Sequence, residues 1–448
     1  MQLYRLAGRL AALALTVGMI ACGAGEAGAP AEELGQEDVA ASVSAETTVD
    51  SMTIEVEAPA KTVFAQTYDR YPCTVLQGEE PAFSFTEERE LLDAAQAARD
   101  EAVEAALDIA IQNKIVSAAS MEDEVIRCVQ AGEGIDLIRF PNAALAATLA
   151  AGNYLADTAQ MGSFDLQNPA LDHSLNAALT IANRCYFLFG AATLTDRLST
   201  AAMLLDTDVP TCPEGAADRY ISLVRAGKWT TEAWIAAVAE SSLSLNGDAV
   251  LPLFVGAGGK LFEKQEDDIP HLEPNENFSH SFAVMQTAMA ASNSAFDAAF
   301  NIGNLERILL DGSLLALPMP SMEEGQAYCS SVDSHTAECI SVPVDPVDPV
   351  RTGDILTAYF EHSADTVAPW LYDQLLAAEQ GAGGDQELLD MILSGRDSML
   401  GTLFGWGDLG QSLIESVGMT EDEYLEGVEM RMAVAERAME IVLARLTQ

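Results

Sequence analysis

The residues best suited to chemistry lie between positions 270 and 280, in the stretch Pro-His-Leu-Glu-Pro-Asn-Glu-Asn-Phe-Ser-His. His271, Glu273 and His280 offer imidazole and carboxylate groups, which are ligands that zinc and other transition metals accept. A loop before a helix is a place where such ligands can converge. Their spacing matches no standard ligand motif, however. The sequence therefore leaves two interpretations open, a divalent metal site or an ordinary polar loop.

Two glycine-rich stretches have the letters of nucleotide-binding loops without the context that such loops need. Gly405–Gly410 fits GxGxxG, but a helix rather than a strand is predicted before it, and Trp406 occupies the turn. Gly256–Lys260 has the wrong glycine spacing, and Leu261 stands where a serine or threonine would hold magnesium. No hydrolase, zinc-protease or calcium-loop motif is present either. We therefore assign no catalytic residue and no cofactor, apart from the possible divalent metal.

The charge of the chain is extreme. Among 448 residues, 22 are Lys or Arg and 69 are Asp or Glu, which gives a formal charge of -47, yet 49% are apolar. This hydrophobic content excludes wholesale disorder, and the negative field argues against nucleic acid as a partner. With so many acids, paired carboxylates are expected everywhere on the surface. Such a surface resembles that of proteins from saline or marine bacteria.

The first 22 residues predict export. Arg5 and Arg9 precede a short apolar stretch, 10–21, which ends at Cys22 and is too short to span a bilayer comfortably. Met19-Ile20-Ala21-Cys22 resembles the lipobox of bacterial lipoproteins. That resemblance implies cleavage before Cys22, acylation of its thiol, and a protein on the cell envelope that faces the periplasm or the exterior. The alternative is an ordinary secretory signal.

The other six cysteines fit an exported protein. They are Cys73, Cys128, Cys185, Cys212, Cys329 and Cys339. An even number of cysteines favours disulfides. The sequence contains no CxxC motif, so neither a zinc ribbon nor a thioredoxin-type redox site is supported. The short spacing makes Cys329–Cys339 the best pair, and sequential pairing would add Cys73–Cys128 and Cys185–Cys212. The alternative is that some are free buried thiols, Cys185 above all.

Apolar periodicity predicts a mostly α protein. Residues 22–50 are rich in Gly, Ala and Glu and predict a disordered tether, and 51–76 hold the one β candidate. Helical spacing recurs over 141–160, 172–205, 213–226, 230–245 and 279–312. The last helix has a capping box, Thr420 with Glu423, and apolar residues at steps of three and four. The predicted fold is a multi-helix bundle with a small N-terminal β element.

The predicted organisation has five parts: a signal peptide (1–21), the tether (22–50), a helical domain (51–340), a proline-rich linker (341–350) and a C-terminal helical domain (351–448). The linker, VPVDPVDPV with flanking residues, should be extended because proline fixes φ and disfavours helix. It is either a boundary or a rigid crossover within one fold.

Three functions remain open at this point. The first is an exported, non-enzymatic, lipid-anchored envelope protein whose helical body acts as a scaffold or binds a protein, a peptide or a small apolar ligand. The second is an envelope hydrolase with a metal at His271, Glu273 and His280. The third is calcium-dependent adhesion, which only the negative charge supports.

Overall fold

A computed structural model of the chain describes residues 61–79, 86–292, 298–379 and 383–447. The strands are β1 (Tyr71–Gly78), β2 (Ile109–Val116), β3 (Leu137–Phe140), β4 (Ala201–Asp206), β5 (Glu263–Lys264), β6 (Pro270–His271), β7 (Phe300–Asn304), β8 (Leu314–Leu317), β9 (Ser330–Ser331), β10 (Cys339–Ser341) and β11 (Arg396–Asp397).

Helices alternate with these strands along the chain. They are α1 (Thr86–Leu107), α2 (Met121–Ala131), α3 (Ala143–Ala151), α4 (His173–Leu179), α5 (Thr195–Leu198), α6 (Ala216–Arg225), α7 (Thr231–Ala239), α8 (Val250–Gly256), α9 (Phe278–Ala291), α10 (Glu306–Leu310), α11 (Pro349–Asp365), α12 (Val367–Glu379), α13 (Gln386–Ser394), α14 (Leu400–Leu403), α15 (Leu409–Glu415) and α16 (Glu421–Leu446). None of the described helices combines the length and the apolarity needed to cross a membrane.

The first sheet has the strand order β10-β3-β1-β2. β1 pairs in parallel with β2 and β3, and β10 closes the edge antiparallel to β3. Because neighbouring side chains on a strand point to opposite faces, Val75 enters one hydrophobic cluster and Leu76 another. Helices α1 and α11 supply the cluster that contains Val75, so one face of the sheet is covered by these two helices.

The second sheet has the order β7-β4-β8, with both pairings antiparallel. Leu205 of β4 faces the large central cluster, whereas Leu204 faces a third cluster formed with α10, α12 and α13. The central cluster also takes residues from the first sheet, such as Ile138. One shared core therefore lies against a face of each sheet.

The predicted mostly α bundle is wrong, because the described residues form an α/β fold with two principal sheets and two short two-stranded pairs. The error lies in the long apolar segments. Residues 172–205 contain only short helices before β4, and 279–312 contain β7 as well as α9 and α10. A strand buried on both faces is apolar at every position, so it resembles a buried helix in sequence.

Other local predictions had different outcomes. The capping box of α16 is confirmed, since the side chains of Thr420 and Glu423 each accept a hydrogen bond from the other residue's backbone N–H. Within the β candidate, β1 begins at Tyr71, and 51–60 lie outside the described residues, as do the signal, Cys22 and the tether. The stretch 341–350 runs from β10 into α11. β10 is a strand of the first sheet, and α11 contributes to the hydrophobic cluster on one face of that sheet.

The predicted disulfides are also wrong, because all six described cysteines are free. Cys73 and Cys128 face different hydrophobic clusters, on opposite sides of the first sheet. Cys339 lies inside that sheet opposite Phe140, whereas Cys329 precedes β9, which pairs with β11 instead. Cys185 is buried and Cys212 half-buried, again in different clusters. Short spacing in sequence therefore does not place Cys329 beside Cys339.

Candidate functional site

The three residues of the predicted metal site lie on separate elements. His271 ends β6 and is half-buried, Glu273 is exposed in the following turn, and His280 is exposed in α9. Their ligand atoms do not form a group within 4.8 Å, since the one such group among the described residues lies elsewhere. The metal site at these residues stays a prediction.

That group consists of Glu124 and Cys128 on α2 together with Glu133. Two cations already occupy it: Lys114 Nζ lies 2.6 Å from Glu124 and Arg127 donates to both carboxylates at 2.5–2.9 Å. These donors lower the pKa of both carboxyl groups, while burial and the hydrogen bond to Glu133 raise the pKa of Cys128 to about 11. The group is therefore an ion-pair cluster around a protonated thiol.

The topology of the first sheet points to a different place. From β1 the chain passes to β2 on one side and then to β3 on the other, so the strand order reverses between β1 and β3. In parallel sheets the crevice beyond the carboxyl ends of such strands is the usual ligand position. Here it is lined by Gly78 and Glu79 at the end of β1 and by Phe140 and Pro141 at the end of β3. We call it the switch-point crevice.

A buried ion pair forms the floor of the switch-point crevice. Arg139 and Glu338 are 5% and 7% exposed, and Arg139 donates to Glu338 Oε1 at 2.9 and 2.5 Å. Arg139 also donates to Gln77 Oε1 at 2.9 Å, and Glu338 Oε2 accepts from the Leu194 N–H at 3.3 Å. This network holds β1, β3 and the start of α5 in a fixed relation.

The segment 331–338 leads from this crevice to a cavity of about 730 Å³, the first cavity. Its walls come from α8, β7, the start of α10 and the segments 331–335 and 398–402. The lining is rich in amides and hydroxyls: Asn246, Asn301, Asn304, Ser244, Ser331, Ser334, Ser398 and Thr402. None of the described lining residues is Phe, Tyr or Trp, and His335 contributes an imidazole ring. Such a wall offers many hydrogen-bond donors and acceptors to a small polar molecule.

Arg307 lies at the wall of the first cavity because of a glycine. A Cβ at Gly303 of β7 would lie 2.7 Å from Arg307 Cδ, so the lack of a side chain at this position leaves room for the arginine stem to rest on the strand. The cavity therefore presents one guanidinium together with the carboxylates of Asp248, Glu306 and Asp333.

A second cavity of about 620 Å³ lies on the other side of Ser398 and Met399, which line both cavities. Three basic residues line it, which is unusual in so acidic a chain, but each is already bound. Lys260 lies 2.9 Å from Asp397, and Lys264 lies 3.0 Å from Asp268.

The glycine-rich stretch before Lys260 follows the C-terminus of α8, where the N–H groups of Gly258 and Gly259 bond to helix carbonyls. It therefore offers no phosphate loop.

Arg396 is the third basic residue at the second cavity. It anchors the segment that carries Ser398 and Met399 between the two cavities. It is 2% exposed and donates to Asp172 at 2.5 and 2.8 Å and to Asp196 at 2.9 Å. Burial opposes ionisation of Asp172, but Arg396 and further donors outweigh it and hold its pKa below the usual range. The pair fixes β11 against α4 and α5, and thereby positions Ser398.

None of these residues was predicted from the sequence. The predicted metal ligands lie within the stretch 270–280, whereas the first cavity is built from residues between 244 and 414. One signal was available, since basic residues are scarce and Arg396 is the one Lys or Arg between Arg351 and Arg431. Burial of a rare arginine requires acidic partners, but the sequence does not say which ones.

Comparison with known proteins identifies the fold of the chain. The chain matches no protein-family model and no curated protein. Among solved structures it resembles the cyclic α-maltosyl-1,6-maltose binding protein of Arthrobacter globiformis, with a TM-score of 0.53 and 12% identity over 83% of this chain and 98% of that one. It also resembles UspC of M. tuberculosis, with a TM-score of 0.50 and 15% identity over 82% and 100%. The chain therefore shares the α/β fold of these two proteins.

Proposed function

We propose that this chain is an exported solute-binding protein that captures a small polar solute of the carbohydrate class for a membrane transporter. The observation that carries the proposal is the first cavity, whose wall of amides and hydroxyls occurs in a chain with this fold. The name of the Arthrobacter globiformis protein says that it binds a maltose-derived cyclic sugar. A polar solute fits the described walls better than the apolar ligand that the sequence suggested.

Hydrogen bonding rather than ring stacking would select the solute in the first cavity. Asn301 and Asn304 lie on β7, a strand held on one side by β4, so their backbone is fixed before a ligand arrives. Preformed amide groups reduce the entropy lost on binding. Arg307 can donate hydrogen bonds to the hydroxyl groups of a solute, and the carboxylates of Asp248, Glu306 and Asp333 can accept hydrogen bonds from them.

Binding is tested by calorimetry and thermal shift with linear and cyclic maltose oligosaccharides, other neutral sugars, and amino acids as a non-sugar set. We expect at least one sugar to bind, and Asn301→Ala and Asn304→Ala each to weaken it about tenfold, the value of one to two hydrogen bonds. Gln411→Ala, an exposed amide outside the cavity, should leave affinity unchanged. The proposal fails if no sugar binds, or if both cavity variants bind like the wild type.

The anchor completes the proposal: Cys22 would carry the lipid that holds the protein on the envelope. In cells given a labelled fatty acid, Cys22→Ser should abolish labelling and release the protein from membranes. Cys212→Ser is the matched control and should remain labelled and membrane-bound. Equal labelling of the Cys22 variant would contradict the anchor while leaving solute binding untouched.

A further inference from the structure

Helix α16 carries two apolar stripes, and only one of them is used. The inner stripe is buried against α15, α3, α9 and the turn at 406–408, and comprises Tyr424, Val428, Ala435, Met439 and Leu446. The outer stripe follows steps of three and four residues on the opposite face and comprises Gly427, Met430, Val434, Arg437, Ile441 and Ala444. Steps of three and four mark the seam of a coiled coil.

The outer stripe is open to solvent in the described structure. Met430 is 80% exposed, Val434 57% and Ile441 42%. A single exposed apolar side chain is normal on a protein surface. Three large ones in heptad register on one helix, with glycine and alanine at the stripe's ends, form a continuous face that another helix can cover.

The charges beside the stripe indicate what the other helix is. Glu426 and Glu440 precede seam positions, and Arg431 and Arg445 follow them, so one flank is acidic and the other basic. Within one copy Arg431 bonds to Glu415, Arg445 to the Ala151 carbonyl and Glu440 to Arg437, so pairing with a second copy would exchange these surface contacts. In a parallel pair of identical helices, Glu426 faces Arg431 of the second copy and Glu440 faces Arg445 of the second copy. In an antiparallel pair, acidic flank would meet acidic flank. The charges therefore match a second copy in parallel orientation.

We propose that two copies of this protein associate through the outer stripes of α16, as a parallel two-helix seam. Val434 and Ile441 are β-branched residues at the seam positions where such residues favour two-stranded pairs. Two features weaken the association: the charge of -47 on each copy, and Arg437, which meets Arg437 of the second copy across the seam. Salt should therefore strengthen the dimer. Neither the proposed solute nor its cavity takes part.

Cross-linking of the full chain tests the seam and its orientation. In a parallel seam Ile441 of each copy lies side by side, so Ile441→Cys should form a covalent dimer under mild oxidation. In an antiparallel seam centred on the outer stripe the two positions would be about 16 Å apart, and no link would form. Glu429→Cys, on the same helix outside the stripe, is the matched control and should stay monomeric. A second experiment mixes the Met430→Cys variant with the Ile441→Cys variant. A disulfide that forms in this mixture, and not in either variant alone, would overturn the parallel seam.

Sedimentation or light scattering then tests the energetics without a covalent link. Arg437→Leu removes the like-charge contact and should tighten the dimer by at least about tenfold, whereas Val434→Glu should abolish it. Both residues are exposed, so the melting temperature of the monomer reports whether either variant is misfolded. A wild type and an Arg437→Leu variant that are both monomeric at about 0.1 mM protein and 0.5 M NaCl would overturn the proposal.

Discussion

Glu379, the last residue of α12, has a carboxyl group that is fully buried. Oε1 accepts a hydrogen bond from the Ala316 N–H of β8 at 2.7 Å, whereas Oε2 is buried without a partner among the described residues. Burial raises the pKa of Glu379 to about 7 from its ordinary 4.5, against the effect of the Ala316 N–H. The folded protein therefore favours the protonated form of this residue.

This raised pKa predicts a pH dependence of stability. Between pH 4.5 and about 7 the unfolded chain releases the proton while the folded chain keeps it, so stability falls as pH rises through that window. Glu379→Gln cannot ionise and keeps an acceptor for the Ala316 N–H. We expect it to be more stable than the wild type at pH 8 by about 1–3 kcal/mol and similar to it at pH 5. Thermal unfolding from pH 5 to 8 measures this, with the exposed Glu429→Gln as control. Parallel pH profiles of wild type and Glu379→Gln would contradict it.

At the scale of elements, a glycine sets how closely α14 packs at the second cavity. A Cβ at Gly401 would lie 2.2 Å from Cε2 of Phe262, whose ring is buried and packs against Trp406 with a centroid distance of 5.3 Å. Gly401→Ala should therefore destabilise the protein by about 1–3 kcal/mol, the usual cost of overpacking.

The same substitution at a second helical glycine has the opposite expected sign. Gly427 lies inside α16 and nothing lies within 4 Å of where its Cβ would be. Because alanine restricts the unfolded chain and suits a helix, Gly427→Ala should stabilise the protein by about 0.5–1 kcal/mol. Urea unfolding of both variants decides the matter. Equal effects at the two positions would show that helix propensity, not the contact with Phe262, governs them.

At the scale of the whole molecule, charge opposes compaction. The chain carries -47, and folding brings its carboxylates closer together than in the unfolded state. Buried pairs such as Arg396 with Asp172 and Asp196 use basic residues that could otherwise neutralise the surface. Self-repulsion among the remaining acids should therefore depend on the screening length.

We expect the melting temperature to rise between about 0.05 and 1 M NaCl, with most of the gain by a few tenths molar, because the Debye length falls from over 10 Å to about 3 Å. Calcium at equal ionic strength is the control for specific binding and should add little. A melting temperature that is flat or falls over this range would mean that the surface acids are already well spaced. Strong stabilisation by millimolar calcium would support the adhesion hypothesis instead.

The sequence by itself determined the features that depend on neighbours along the chain. The capping box of α16 and its apolar steps involve residues three and four apart, which meet in any helix, so Thr420 and Glu423 could be assigned correctly. The turn at Gly405–Gly407 was predictable for the same reason, since both glycines adopt positive φ.

Only the tertiary structure decided which apolar runs are strands, which faces the cysteines occupy, and where a cavity forms. β4 pairs with strands about a hundred residues away, and nothing local distinguishes its fully buried sequence from a buried helix. The first cavity joins Asn246, Asn301 and Ser398, which are unremarkable one by one. Their common role arises from sheet pairing and from burial of Arg396, and both depend on contacts between distant parts of the chain.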